Sequence, residues 1–312
     1  MAPKVGYVLP TREFVMRGQP EAAPLLDLAA KAETLGFDSI WVGDSLLARQ
    51  RHEPLSLLAA IAVRAPKVTL GTAVLLPVLR NPVVLAHQIA TIDQISEGRL
   101  VIGVGIGPDT PGVRAEYAAV GVPFEKRVGA TLEGLRLCKA LWTGEPVDWN
   151  GRWKVSGGVL GPVPHQPGGP PILIGGGSRR VRERAGRIFD GWLPISPNAV
   201  QWGEHWAEIR EVAREAGRDP STLTGAVCLN LSIDEDSKTA DRQLDNYLAQ
   251  YYGVTDGTHR QTHGSYAGPA AGAADWLDGF ARAGVEHFVL RFAGHNERHL
   301  EALSALRADL GW

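Results

Sequence analysis

Short apolar runs rich in β-branched residues alternate along the chain with longer segments whose apolar residues recur every three or four positions. The first pattern is typical of buried strands and the second of amphipathic helices. In the first half of the chain the alternation predicts strands at residues 4–9, 38–42, 68–75 and 100–105. The helices that follow them are predicted at residues 24–35, 53–63, 82–95 and 124–142.

The second half of the chain continues the alternation. Strands are predicted at residues 171–174, 191–195, 226–233 and 287–292, and helices are predicted to begin near Ser178, Ala199, Asp236, Ala273 and Asn296. Eight strands with intervening helices, and no linker between them, predict a single (β/α)8 TIM-barrel domain over residues 1–312. The alternative, a doubly wound domain joined to a second α/β domain, would need a break in composition that the chain lacks.

Three segments are longer than the connections usual in such a barrel. They are residues 108–123, 144–170 and 253–268, and the second contains Asn150 and Gly151 between two short β-prone runs, which predicts a hairpin. Loops at the carboxyl ends of barrel strands carry the functional residues of such folds. We therefore expect the chemistry to lie where the predicted strands end.

Composition narrows the classes of function. With 44% hydrophobic residues, 21% charged residues and a net charge of −2, the chain has the makeup of a globular protein and lacks the basic field that attracts nucleic acid or an anionic membrane. No apolar run is long enough to span a bilayer, and the amino terminus lacks a signal-peptide pattern, so we expect a cytoplasmic protein. Cys138 and Cys228 lie in apolar segments and are expected to be buried thiols.

Four residues, Gly175, Gly176, Gly177 and Ser178, separate an apolar strand from a helix. Glycines let backbone N–H groups approach an anion, and the start of a helix adds free N–H donors and the positive end of its dipole. The turn is therefore a candidate phosphate site, although a plain flexible turn would have the same composition. Barrels more often bind phosphate after strands seven and eight, where Arg291, at the end of the eighth strand, could serve.

The glycines after the fourth strand, Gly105 and Gly107, resemble part of a dinucleotide-binding loop, but the spacing of that motif is not met. Pro108 and Pro111 are also expected to obstruct the helix that the motif requires. We interpret the two glycines instead as positions that keep side chains away from a flat ring at the end of the barrel.

Two further strand ends carry candidate site residues. Asp44 and Ser45 follow the second strand, where Asp44 could orient a ring or relay a proton, or could simply cap a helix. Ala73 and Val74 lie near the end of the third strand and could form the wall behind an aromatic ligand, or could belong to the barrel core. His52 is a possible acid–base group, although a lone histidine is more often a surface residue.

Metal and hydrolase chemistry are disfavoured by the motifs. No HxH pattern ends a predicted strand and no HExxH pattern occurs, so no metal site is expected. The chain also has no GxSxG sequence, which argues against a hydrolase with a nucleophile elbow. A barrel that holds a bulky planar ring at its end is the interpretation that accounts for the positions of Gly105 and Gly107.

Three segments carry a family resemblance: SIWVGDS, LGTAVLLPVLRNPVVLAHQIATIDQISEGRLVIGVGIG and PPILIGGGS. Through them the chain resembles the luciferase-like monooxygenase family of flavin- or F420-dependent oxidoreductases. The resemblance implies a (β/α)8 barrel, usually a homodimer, that binds coenzyme F420 or reduced FMN. It places the ring of the cofactor over a bulge with a cis peptide bond at Ala73-Val74 and Gly107 at the edge of that ring. It places the phosphate at Gly175, Gly176 and Gly177.

Two positions depart from relatives of this family. Ser45 stands where many relatives have a histidine. Pro108 stands where the F420-dependent sugar-phosphate dehydrogenases have a catalytic glutamate, and Asp109 is adjacent but not equivalent. The substrate of those dehydrogenases is therefore not assumed here. The sequence leaves open whether His52 or Asp109 takes part in catalysis.

The resemblance implies an oxidoreductase that uses F420 to transfer hydride to or from a small organic substrate, with Asp44 and Ser45 as catalytic residues. One alternative is a monooxygenase that uses reduced FMN to insert one oxygen atom from O2. A second alternative is a barrel that binds a flavin without turnover. Relatives of that second kind tend to lose part of the barrel, whereas this chain keeps all eight predicted strands. Neither nucleic acid nor a membrane is expected as a partner.

Overall fold

Strands and helices alternate in the computed structural model much as their spacing predicts. The structure describes residues 2–253 and 258–312; residues 254–257, within the predicted insertion 253–268, lie outside the described residues. In chain order the strands are β1 (Lys4–Val8), β2 (Ser39–Val42), β3 (Thr69–Leu75), β4 (Leu100–Val104), β5 (Val147–Asn150), β6 (Lys154–Gly158), β7 (Ile172–Ile174), β8 (Gly191–Trp192), β9 (Thr224–Ile233), β10 (Ser265–Gly268) and β11 (His287–Phe292).

Eight of these strands close into a parallel barrel in the order β1, β2, β3, β4, β7, β8, β9 and β11. Pairing of β11 with β1 and of β8 with β9 completes the ring. The (β/α)8 TIM barrel expected from the sequence is therefore confirmed. Strand β10 adds a short parallel pairing beside the far end of β9, and β5 pairs with β6 as the hairpin predicted around Asn150 and Gly151.

The remaining elements are helices that surround the barrel. They are α1 (Thr11–Met16), α2 (Ala23–Thr34), α3 (Pro54–Arg64), α4 (Pro82–Ile95), α5 (Pro111–Ala119), α6 (Arg127–Leu141), α7 (Arg179–Ile188), α8 (Ala199–Glu215), α9 (Ser237–Tyr252), α10 (Thr258–Thr262), α11 (Ala270–Arg282) and α12 (Asn296–Leu310). Within the described part of the chain, no helix has the length and apolar character to cross a membrane. Cys138 and Cys228 are both buried, as expected.

One expectation from the sequence is wrong. Pro108 and Pro111 do not prevent a helix after β4, because α5 begins at Pro111 and the Thr110 side chain caps it by accepting from the Val113 N–H at 3.4 Å. Proline is tolerated at the first position of a helix, since its missing N–H would have no partner there. The predicted insertion 108–123 is therefore largely helical, and α1 and β10 are further elements that the pattern does not predict.

The barrel interior is filled at its amino-terminal end, which we call the floor. Trp41 is fully buried there and lies across Gly6 and Gly71, where any side chain would overlap its indole ring. Trp41 Nε1 donates to Ser39 Oγ at 2.7 Å, and Ser39 Oγ lies 2.7 Å from His287 Nε2. Because the serine oxygen already accepts from Trp41, its own proton is available to the imidazole. The candidate site residues lie at the opposite, carboxyl-terminal end, which we call the mouth.

Candidate functional site

The third strand ends at the mouth in a bulge. Its pairing with β4 shifts register between Thr72 and Leu75, and the peptide bond between Ala73 and Val74 is cis. The cis peptide bond that the family resemblance implies at this position is therefore confirmed. Arg291, from β11, reaches across the mouth and donates from Nη2 to the Ala73 carbonyl oxygen at 3.3 Å. The bulge and the arginine thus meet at the centre of the mouth.

Val74 lies between two of the glycines singled out from the sequence. A Cβ atom at Gly105 would lie 2.7 Å from Val74 Cγ2, and one at Gly175 would lie 3.2 Å from Val74 Cγ1. The first distance is shorter than real contacts and the second is tight, so a larger residue at either position would displace Val74. The two glycines leave bare backbone on both sides of Val74. Such a surface can accept a flat ring at close range.

The turn after β7 presents backbone donors. Gly176 has a φ of +105°, which favours glycine, and its carbonyl oxygen accepts from Trp192 Nε1 at 2.8 Å. The N–H groups of Gly176, Gly177 and Ser178 donate to no acceptor among the described residues. Because α7 begins at Arg179, these donors lie at the positive end of its dipole. The turn therefore has the properties of an anion site.

Gly107 does not face Val74. It has a φ of +68°, and a Cβ atom there would lie 2.9 Å from Val113 Cγ1, on α5. The Tyr117 hydroxyl, also on α5, donates to the Ile106 carbonyl oxygen at 2.9 Å. Gly107 therefore lets the chain turn toward α5, and its place at the edge of a ring stays a prediction.

The Asp44 carboxylate, whose side chain is 1% exposed, is occupied by protein donors. Oδ2 accepts from the Leu76 N–H at 2.9 Å and from Arg80 Nη1 at 2.7 Å, and Oδ1 accepts from Arg80 Nη2 at 3.1 Å. Arg80 also donates to Glu53 at 2.8 Å. Asp44 thus holds the chain just beyond the bulge. Its predicted part in moving a proton stays a prediction, because both of its oxygens already have partners.

Ser45 is bound to a carboxylate that sequence reasoning does not identify. Its hydroxyl donates to Glu116 Oε2 at 2.8 Å, and the same oxygen accepts from the N–H groups of Leu46, Leu47 and Ala48 at 2.6, 2.6 and 3.0 Å. Glu116 is fully buried, and its Oε1 has no partner among the described residues. Glu116 lies on α5, the helix that is not predicted because of Pro108 and Pro111. Glu116 therefore fixes the loop after β2, and a catalytic role of Ser45 stays a prediction.

The structure does not bring His52 or Asp109 to the bulge. His52 Nε2 lies 2.8 Å from the Pro20 carbonyl oxygen. Asp109 pairs with Arg114 at 2.6 Å on the exposed surface, and this hydrogen-bonded pair lowers the pKa of Asp109. None of the contacts described for these two residues involves Val74 or Arg291.

Two buried polar groups at the mouth keep atoms without partners. Arg291 is 9% exposed; its Nε has no hydrogen-bond partner among the described residues, and its Nη1 donates to the Tyr252 hydroxyl at 3.3 Å. Asn230, on the adjacent strand β9, has a buried Oδ1 that also lacks a partner there. Buried polar atoms are normally hydrogen-bonded, so exceptions in a cleft call for an explanation such as a ligand. The sequence identifies Arg291 but gives no signal for Asn230.

The last turn of α9 brings two tyrosines to Arg291. The guanidinium carbon of Arg291 lies 5.3 Å from the centre of the Tyr251 ring, and Arg51 Nη1 donates to the Tyr251 hydroxyl at 3.3 Å. Burial raises the pKa of Tyr251, but Arg291 and Arg51 outweigh burial and bring that pKa below its ordinary value. Burial raises the pKa of Tyr252 to about 12, against the opposing effect of Arg291. Sequence reasoning misses both tyrosines, because they read as the end of an amphipathic helix.

A closed (β/α)8 barrel with a cis bulge, flanking glycines and an anion turn defines the class of protein. A family model described as luciferase-like monooxygenase matches residues 3–311. The chain therefore belongs to the luciferase-like monooxygenase family, as its three characteristic segments predict.

Individual known proteins resemble the chain over most of its length. The F420-dependent glucose-6-phosphate dehydrogenase of Nocardia farcinica is 29% identical over 313 residues, which cover 92% of each chain. The protein of the same name from Mycolicibacterium smegmatis is 32% identical over 249 residues, 76% of this chain and 71% of the relative. A solved F420-dependent secondary alcohol dehydrogenase, in complex with an F420-acetone adduct, superposes with a TM-score of 0.82 at 22% identity and covers 98% of both chains. At that identity, the structural likeness shows the shared fold.

Proposed function

We propose that the chain is an oxidoreductase that transfers hydride between coenzyme F420 and a small organic substrate. The arrangement around Val74 carries this proposal, because its cis peptide bond lies between Gly105 and Gly175, which lack side chains. The curated relatives named above, which cover 92% and 76% of this chain, are called F420-dependent, and this supports F420 rather than FMN as the cofactor.

The residues present fit such a cofactor. Side chains at Gly105 and Gly175 would press against Val74, so the two glycines let Val74 keep its place at the bulge on which a ring would lie. The turn after β7 offers N–H groups of Gly176 and Gly177 to a phosphate. When bound, F420 supplies a ring that accepts or donates hydride, and the protein supplies binding, orientation and electrostatics.

Asp44 and Ser45 are proposed to act by positioning. Asp44 holds Leu76 and Arg80 directly beyond the bulge, while the Ser45 hydroxyl anchors the loop after β2 to Glu116. These contacts keep two neighbouring strand ends in register at the mouth. At the end of α9, Tyr251 and Tyr252 contact the guanidinium of Arg291 at the mouth.

A cytoplasmic location and a homodimer belong to the same proposal. Support for the location is the globular composition with a net charge of −2, and support for the dimer is the family resemblance. Light scattering of the purified protein tests the dimer, for which twice the mass of one chain is expected. A mass equal to one chain would exclude it.

Titration of the purified protein with F420 and with FMN, each oxidised and reduced, tests the cofactor. Changes in cofactor fluorescence should show saturable binding of F420. A mouth that is specific for F420 should bind FMN at least roughly tenfold more weakly. Saturable binding of reduced FMN without F420 binding would favour the monooxygenase alternative. Binding of neither would refute the proposal.

A pair of variants at Gly177 tests the phosphate turn. A Cβ atom there would meet nothing within 4 Å, and the backbone needs no positive φ, so the fold should tolerate a side chain. Gly177→Asp should weaken F420 binding roughly tenfold or more, because a carboxylate next to a phosphate is a like-charge contact. Gly177→Asn has the same size without the charge and should stay within about threefold of wild type. Equal affinities of the two variants would remove the turn from the cofactor site.

A further inference from the structure

Four arginines from three separate segments converge on the two tyrosines at the end of α9. They are Arg12, on α1 after β1, Arg49 and Arg51, in the loop after β2, and Arg291, on β11. The guanidinium carbons of three of them lie 4.9, 5.3 and 5.9 Å from the centre of the Tyr251 ring. That of the fourth, Arg49, lies 5.4 Å from the centre of the Tyr252 ring. We call these four residues the arginine cluster.

The arginine cluster has little opposing charge. None of its members forms an ion pair with a carboxylate in the part of the chain that the structure describes. Glu13, the carboxylate next to Arg12 in the chain, accepts from the Tyr247 hydroxyl at 2.8 Å. His263 also faces the cluster, but burial, together with His259 and Arg291, lowers its pKa to about 4, so it is neutral at pH 7. The excess positive charge in a partly buried cleft attracts anions.

Contacts with neutral groups orient the cluster without neutralising it. Arg12 donates to the Tyr251 carbonyl oxygen, and Arg51 donates to the Arg49 carbonyl oxygen at 3.1 Å. The guanidinium of Arg49 contacts the Tyr252 ring and has no hydrogen-bond acceptor among the described residues. The Nε of Arg291 is buried without a partner. Oriented guanidinium groups with free N–H donors are suited to carboxylates and phosphates.

The arginine cluster and the glycine turn occupy opposite halves of the mouth. In the barrel order, β9, β11, β1 and β2 carry the cluster and its tyrosines, whereas β4 and β7 carry Gly105 and Gly175. Strand β3, with its cis peptide bond, lies between the halves: Val74 contacts the glycine side, and the Ala73 carbonyl accepts from Arg291. A cofactor whose ring lay on the bulge would therefore have its phosphate on the glycine side of the ring and the arginine cluster on the other side.

We propose that the arginine cluster binds an anionic group, a carboxylate or a phosphate, of the substrate, and so restricts the enzyme to acidic small molecules. The inference rests on the proposed function, which assigns the other half of the mouth to F420. Arg291 binds at the deep end, where its Nε is free, and Arg49 binds at the solvent end.

Titration of the cofactor-free full chain with inorganic phosphate, and separately with acetate, tests the cluster. Isothermal titration calorimetry at low ionic strength should show saturable binding of at least one anion. Arg51→Gln removes one charge and should weaken that binding roughly tenfold or more. Arg49→Gln, whose guanidinium contacts only a ring, is a second variant that should weaken it without disturbing the fold. Tighter binding of acetate than of phosphate indicates a carboxylate substrate, and tighter binding of phosphate indicates a phosphate ester.

Arg210→Gln is the matched control, since Arg210 is exposed on α8 and its replacement changes the net charge by the same amount. Its affinity for the anion should stay within about twofold of wild type, because screened surface charges at a distance contribute little. A loss equal to that of Arg51→Gln would mean that overall charge, not the cluster, governs binding, and would overturn the inference.

Two further measurements separate the possible sites. The turn after β7 could bind phosphate as well, so the titration is repeated with Gly177→Asp, in which anion binding should persist. Binding lost in Gly177→Asp but kept in Arg51→Gln, or no saturable binding in wild type, would overturn the inference. The F420 affinity of Arg51→Gln should equal that of wild type; a parallel loss would assign the arginines to the cofactor. Failure of wild type to bind F420 would refute the proposed function alone.

Discussion

The floor and the mouth are built from inward-facing residues of the same strands, but they differ in whether their buried polar atoms have hydrogen-bond partners. At the floor, Ser39, Trp41 and His287 bond to one another, with both distances 2.7 Å. At the mouth, four residues along the same strand β11, Arg291 keeps an unpartnered Nε. Because buried polar groups are normally paired, we interpret the unpaired end of the strand as the end that would meet a ligand in the proposed function.

Glycines at the two ends serve different purposes. At the floor, Gly6 and Gly71 make room for the Trp41 ring, so the missing side chains are replaced by another part of the core. At the mouth, Gly105 makes room for the Val74 side chain in the same way, but a Cβ atom at Gly177 would meet nothing within 4 Å. The floor is therefore packed for stability, whereas the proposed function uses the open turn at the mouth, and substitutions at the two ends should separate stability from binding.

The largest expected effect is at the floor. Trp41→Ala removes a fully buried ring and leaves Ser39 without its donor, so it should lower the free energy of unfolding by about 3–5 kcal/mol. Urea unfolding measures this loss. Tyr252→Ala, at the half-buried mouth, should cost less than half as much. Equal losses would contradict the distinction between the two ends.

Glycine substitutions give a smaller effect with a clear contrast. In Gly71→Ala the new Cβ would overlap the Trp41 ring, and such overpacking should cost about 1–3 kcal/mol. Gly177→Ala adds the same atom where nothing lies within 4 Å, so it should change stability by less than about 0.5 kcal/mol. Thermal unfolding of the two variants compares them directly. A destabilised Gly177→Ala would show that the turn is also packed.

Acid should weaken the floor through His287. Burial, and to a lesser extent Lys4, lowers the pKa of His287 to about 3, so the folded state resists a proton that the unfolded state binds near its ordinary pKa of about 6.5. Stability therefore falls as the pH drops through this window, by about 1 kcal/mol between pH 7 and pH 5.5 from this group. Urea unfolding at both pH values measures the loss.

The variant His287→Gln removes the titrating ring and is the control for this pH dependence. Its loss between pH 7 and pH 5.5 should be smaller than that of wild type by about 1 kcal/mol, even if the variant is less stable at both pH values. Equal losses in the two proteins would show that other groups, such as paired carboxylates, carry the acid sensitivity.

Most of the fold is predictable because it depends on local patterns. The barrel strands are apolar runs that are buried on both faces, and helix starts such as Asp236 are marked by capping residues. Helix α5 is not predicted because proline disrupts the interior of a helix but is favoured at its first position, where Pro111 lies. Strand β10 is not predicted because it pairs with the carboxyl-terminal part of β9, which extends past the residues that pair with β8. That extension is visible only in the closed barrel.

The candidate site divides in the same way. The glycines around Val74 can be found from the sequence, since a missing side chain at a strand end has a direct structural meaning. The arginine cluster cannot, because its members come from three segments, around residues 12, 50 and 291, that meet only when the barrel closes. Asp44 is an example: its position at the mouth can be predicted from the end of β2, but its pairing with Arg80 cannot, because Arg80 follows the neighbouring strand β3.

Replacement of Arg291 should change stability little, and the sign of that change is informative about the mouth. Arg291→Met keeps an extended side chain but removes a buried guanidinium that has only two long hydrogen bonds, each 3.3 Å, and no carboxylate among the described residues. Removing such a charge relieves its desolvation cost, so unfolding free energy should stay equal or rise by up to about 1 kcal/mol. Affinity for phosphate should fall in the same variant.

Arg99→Met is the matched control near the floor. Arg99 precedes β4, and its guanidinium donates to the carbonyl oxygens of Ala62, Ala65 and Val68 at 2.9, 3.2 and 2.6 Å. Its replacement leaves these acceptors, between the last turn of α3 and the start of β3, without their donor and should cost about 1–3 kcal/mol. If Arg291→Met proved as destabilising as Arg99→Met in urea unfolding, Arg291 would be a structural residue like those of the floor, and the unpaired Nε would no longer point to a ligand.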